Sequence, residues 1–104
     1  MGLFGRNRGF LNAPEQVKVL CKVADAQKSA QGPFSVRQAV ANALKSCGFD
    51  DKGIGCVQEI TLTELIGAAF GVAQGQVERV EDHCKTKSQS EVARALQDAI
   101  RYAQ

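Results

Sequence analysis

The chain has no tryptophan, one histidine, one methionine and two prolines in 104 residues. These shortages exclude function before any pattern is sought. His83 is the sole imidazole, and its neighbour Cys84 falls on a different face of any helix carrying both, so no Cys–His pair is encoded locally. The sequence contains no nucleophile elbow, no H-E-x-x-H and no P-loop. Gly53-Ile54-Gly55 lacks the third glycine of a dinucleotide site, because Gln58 stands there. A zinc site drawn from Cys47, Cys56, His83 and Cys84 would lack a C-x2-C anchor. The expectation is a chain that is not an enzyme and takes no metal or cofactor.

Long apolar runs are also missing. None approaches the roughly 18 residues needed to cross a bilayer. No apolar signal-peptide stretch follows Arg6 and Arg8. Arg6 stands where N-myristoylation wants Ser or Thr. A cytoplasmic protein is expected, with Cys21, Cys47, Cys56 and Cys84 kept reduced. Cys21, Cys47 and Cys84 fall on apolar helix faces as small hydrophobes. The net charge of +2 is too small to mark a nucleic-acid partner by itself.

With five Phe and one Tyr, the core must be built from Val, Leu, Ile and Ala. Small side chains of that kind suit close helix packing better than a broad sheet. The period agrees, and the fold class expected is all-α: one compact domain of about five helices over 12–104, preceded by a flexible basic arm over 1–11. Phe4, Phe10 and Leu11 are the residues by which that arm would dock.

The helices are punctuated. Asn12 with Glu15 has capping-box spacing, and Pro14 suits the first turn of a helix running to about Ala30. Gln31-Gly32-Pro33 ends it. Ser35 with Gln38 starts a second helix, with Phe34 stapled to Ala39; Gly48 is the left-handed residue past its end and Phe49 folds back on Leu44. Phe49–Ile60 reads as a loop, with Cys56–Ile60 a short strand lacking a partner. Thr61 and Glu64 are placed to cap a third helix ending at Gly71. A fourth spans about Gln74 to Cys84, and Ser88 with Glu91 caps a fifth.

Two features of the first helix compete for its core-facing side. Val17, Leu20, Cys21 and Ala24 make one apolar stripe; Val19, Val23, Ala26 and Ala30 make a second. A helix apolar over more than half its circumference is either central or touches a second chain. The second stripe is therefore a candidate protein interface, most simply with another copy in a homodimer.

Thr63–Asp82, TELIGAAFGVAQGQVERVED, resembles the helix-turn-helix of bacterial and phage DNA-binding proteins. Ile66 and Phe70 stand before the turn, Gly71-Val72 at it, Val77 and Val80 after it, and Gly67 where the two helices must cross. The resemblance implies Gln74, Gln76 and Arg79 toward base edges, with Arg6, Arg8, Lys85, Lys87, Arg94 and Arg101 available for phosphates. The chain departs from the pattern in charge: Glu78, Glu81 and Asp82 oppose Arg79 alone on that helix. Phe49–Val57 also resembles the opening of an EF-hand loop, with Asp50 first and Gly55 at the turn. Lys52 and Ile54 stand at the next ligand positions and Thr61 at the twelfth, so no calcium is expected there.

The function read from the sequence is thus a non-catalytic protein-interaction module, a small adaptor or regulator. The alternative is a helix-turn-helix DNA-binding regulator using residues 63–82.

Overall fold

The computed structural model describes residues 11–49 and 55–104. Arg6, Arg8, Phe4, Phe10 and Asp50–Ile54 lie outside the described residues. Among these described residues, five helices follow in order: α1 (Ala13–Ser29), α2 (Val36–Ser46), α3 (Gly55–Ala69), α4 (Val77–Thr86) and α5 (Gln89–Ala103). Among the described residues there is no strand, and the fold is all-α as the sequence indicates. No helix of the described residues is long and apolar enough to cross a membrane.

Four helices form a ring of neighbours: α1 packs on α2 and α5, and α3 packs on those same two from its own side. α4 lies against α3 and touches α2. The core between them is aliphatic, with Leu20, Leu44, Leu62, Ile66 and Leu96 fully buried. Leu11 packs against it from just before α1.

Capping explains where three of the helices begin. Asn12 accepts from the Glu15 N–H at 3.0 Å while Glu15 accepts from the Asn12 N–H at 2.9 Å, the reciprocal box. Ser88 and Glu91 repeat it at α5. The Ser88 N–H and hydroxyl hold the Glu91 carboxyl below its usual range, so this cap is present above the normal Glu titration and weakens as pH falls through the lowered value. At α2 the box is half made. Ser35 accepts from the Gln38 N–H, but the Gln38 amide turns to Asn42 instead of returning. Gly48, at φ 78°, closes α2: its N–H reaches the Lys45 carbonyl and the Phe49 N–H reaches Leu44, a Schellman pair.

The buried face of α1 takes part of each expected stripe. Val19, Leu20, Val23, Ala24 and Gln27 are inside, while Cys21 and Ala26 are exposed and Ala30 is half-buried. Positions 19, 20, 23, 24 and 27 lie on one side of a 3.6-residue helix, and α2 and α5 together cover that side. α1 is thus buried on one face only, and Cys21 and Ala26 of the two expected stripes stay outside it. Val19 and Val23, each 0% exposed, belong to the chain's own core and offer no surface to a partner. Cys21 is corrected likewise: it faces solvent, whereas Cys84 is buried and Cys47 is half-buried against the core.

α3 begins at Gly55, so the loop and strand expected over 56–60 are helical. Gln58 is buried at the position one turn before Leu62, where an apolar residue would have revealed the helix. Thr61 is not a cap. Its hydroxyl donates to the Val57 carbonyl at 2.8 Å, a bond made inside a helix. The Thr63 hydroxyl is fully buried with no hydrogen-bond partner among the described residues. Thr63→Val keeps the shape and removes the buried polar atom, so urea unfolding should show a gain of about 1 kcal/mol. A loss of stability would mean that the hydroxyl is satisfied after all.

Candidate nucleic-acid interface

The region over residues 63–82 is built on a close crossing of α3 and α4. A Cβ placed on Gly67 would lie 2.7 Å from Val80 Cγ2 and 3.6 Å from Val72 Cβ. Only hydrogen fits between the helices at that point. Ile66 and Val80 are buried beside it, and Phe70 and Val72 pack against the core. Every apolar position of the helix-turn-helix pattern is at least half-buried, including Val77.

The turn is fixed in two stages. Gly71, at φ 78°, lets its own N–H reach the Ala68 carbonyl while the Val72 N–H reaches Gly67, a second Schellman pair. The chain then bends again at Gly75, φ 84°, whose N–H donates to Glu64 Oε2 at 2.8 Å. Glu64, expected as a capping partner of Thr61, instead ties α3 to the far side of the turn. A left-handed residue cannot continue a helix, so α4 starts at Val77 rather than near Gln74. The connection is accordingly longer than the three residues of the compact motif. The Phe70 and His83 rings stack at 5.1 Å with 10° between planes and fasten the start of the turn to α4.

Gln74, Gln76 and Arg79 are all exposed, with Gln74 in the turn and Gln76 at the N-cap of α4. Arg79 Nη1 donates to Gln76 Oε1 at 3.3 Å, so these two side chains act as a unit. Arg37, from the first turn of α2, and Ile60, from α3, line the same open groove as Gly75–Arg79, a hollow of about 540 Å³. Sequence reasoning missed Arg37, because nothing in the linear pattern brings the start of α2 to α4.

Lys85 and Lys87 do not join this group. They lie at the other end of a ten-residue helix, about 15 Å long at 1.5 Å per residue. There they line a smaller hollow of about 220 Å³ with Gln27, Phe34 and Cys84. Burial and then the nearby Glu81 push the Cys84 thiol up to about 12, which leaves it a neutral apolar group rather than a nucleophile.

The acidic face expected on α4 is smaller than its sequence suggests. Glu81 is turned toward α2, accepting the Ser35 hydroxyl at 2.7 Å and the Arg37 N–H at 3.0 Å. Its charge thus meets the positive end of the α2 dipole and, at 3.8 Å, the Lys85 ammonium. Glu78 and Asp82 remain on the exposed side with Arg79. Glu81→Ala would leave the first turn of α2 without its interhelical acceptor. A loss of about 1–2 kcal/mol in thermal or urea unfolding is expected, with Glu81→Gln losing less. Equal stability of Glu81→Ala and the parent would show that the contact does not hold the helices.

No family model matches the chain, and neither the curated proteins nor the solved structures compared with it gave a match.

Proposed function

We propose that this chain is a non-catalytic DNA-binding regulator of the helix-turn-helix kind, acting in the cytoplasm and presenting the start of α4 to the major groove. The observation that carries the reading is the Gly67–Val80 crossing, with exposed Gln74, Gln76 and Arg79 immediately beyond the turn it fixes. Gln76, Glu78 and Arg79 at the start of α4 are exposed while Val80 and Cys84 of the same helix are buried, the two-sided character that such a helix needs. Glu81 supports the reading by facing α2 instead of the groove. Phosphate contacts would come from Arg6 and Arg8 of the N-terminal segment, which contains no acid before Glu15.

The rival reading, an adaptor binding another protein through Val19, Val23, Ala26 and Ala30, loses its surface because two of the four residues are core. Anisotropy with a fluorescent mixed-sequence duplex separates the two. Binding at low salt that weakens steeply on adding salt is expected, with a logarithmic slope of roughly 0.9 per phosphate neutralised. No binding at low salt would overturn the DNA reading.

A further inference from the structure

The hollow of about 220 Å³ lies where the ends of α1 and α4 meet the start of α5, away from the groove that the DNA reading uses. Phe34, Cys84 and Val92 are buried residues of its apolar wall. Lys85 and Lys87 line it and are exposed. Gln27 lies among them, 4% exposed, on the buried face of α1 where the helical period calls for an apolar residue. Its Nε2 donates to the Gln89 carbonyl at 3.1 Å, which uses one of the two amide N–H groups. The carboxylates next to the two lysines are already held. Glu81 accepts from the Ser35 hydroxyl and the Arg37 N–H, and Glu91 accepts from the Ser88 N–H and hydroxyl. Lys85 pairs with Glu81 at 3.8 Å, whereas Lys87 has no ion pair among the described residues.

We propose that this hollow binds a small organic carboxylate, its apolar body against Phe34 and Val92 and its anionic end taken by Lys87 and the Gln27 amide. The wall and the charge each select part of that ligand. A bare phosphate would leave the apolar wall uncovered, and a neutral hydrocarbon would cover the second Gln27 N–H without an acceptor for it. A carboxylate on a short apolar body satisfies both. The Cys84 thiol, kept neutral by burial, adds no charge to repel it. The volume sets the size: the hollow is smaller than the roughly 300–1,000 Å³ of drug-sized ligand sites, which suits a single-ring or short-chain acid. Gln76 and Arg79 stand at the other end of α4, about 15 Å away along the helix, so binding here does not depend on DNA binding there.

The test is an amide NMR titration of the full chain with benzoate, run beside benzamide (the same ring without charge) and acetate (the same charge with almost no body). Benzoate should give saturable shifts at Phe34, Gln89, Val92 and the Gln27 side-chain amide, with Gly75–Arg79 unmoved. Benzamide should bind about 2- to 5-fold more weakly, the worth of one partly exposed charge pair. Acetate should bind about 10-fold more weakly or worse, because it buries no ring. Lys87→Ala should weaken benzoate about 2- to 5-fold and erase its advantage over benzamide, while Lys22→Ala, on the exposed side of α1, should bind as the parent does. Lys87 and Lys22 are both exposed, so circular dichroism of each variant should match the parent. Shifts that do not saturate, benzamide binding as well as benzoate, acetate binding as well as benzoate, or an unchanged affinity in Lys87→Ala would each overturn the proposal and leave the DNA reading standing.

Discussion

Gly67→Leu should be among the most damaging single changes in the chain, with a loss of about 2–3 kcal/mol and a Tm lower by roughly 10 °C or more. Two opposing effects meet at this residue. Leucine favours the helix over glycine by about 1 kcal/mol, because glycine loses more backbone freedom. Against that gain, the first carbon of the new side chain would already sit 2.7 Å from Val80 Cγ2. Val80 is 1% exposed and β-branched, so it has little room and few rotamers to escape into. The remaining carbons of leucine would have to enter the same seam, so the steric cost exceeds the propensity gain. Gly67→Ala is closer to balance, and its sign should depend on the partner. In a Val80→Ala background, the alanine at 67 should become neutral or stabilising, a coupling measurable by a double-mutant cycle. A Gly67→Leu variant that melts with the parent would show that the helices do not cross at this residue.

Leu96→Ala should cost about 2–5 kcal/mol, the usual loss when a buried leucine leaves a cavity behind. Leu96 is 0% exposed on α5, the helix that packs against both α1 and α3. Collapse around the missing carbons would require two separate helix contacts to shift together. For a small domain holding about 5–15 kcal/mol in total, that is a large fraction of its stability. Tyr102 lies on the same helix but is 55% exposed, and Tyr102→Ala should stay within about 0.5 kcal/mol of the parent. Urea midpoints compare the two directly, provided the slope is unchanged. Equal losses in the two variants would mean that α5 does not bury the face assigned to it.

What could be read from the sequence follows how local the determining physics is. Asn12 with Glu15, Ser88 with Glu91, and Gly48 with Phe49 are contacts within a few residues, and all three appear where the spacing puts them. The beginning of α3 was hidden because its buried positions include Gln58 and Thr63, which carry no apolar signal. Thr61 misled for a related reason: a hydroxyl that back-bonds to Val57 inside a helix looks, in sequence, like one that caps it. Gly75, at positive φ, precedes the true start of α4, and its N–H is bound by Glu64 eleven residues earlier, a contact outside any local pattern.

The candidate site was half legible on the same principle. Ile66, Gly67, Phe70, Val72 and Val80 form a periodic pattern, and the fold buries them or packs them against the core. Arg37 in the groove and Glu81 on the end of α2 are long-range facts, 44 residues apart in the Arg37–Glu81 contact, and no local pattern carries them. The second stripe of α1 could not be assigned without knowing its neighbours. Both α2 and α5 lie over Val19 and Val23, and only the assembled fold shows that.

The measurement that tests the central claim most directly is a backbone amide NMR titration of the full chain with a short duplex at low salt. The account predicts shifts concentrated at Gly75–Arg79 and around Arg37, with α1 and the outer face of α5 nearly unmoved. Shifts centred on α1 or α5, or no shifts at all, would contradict it.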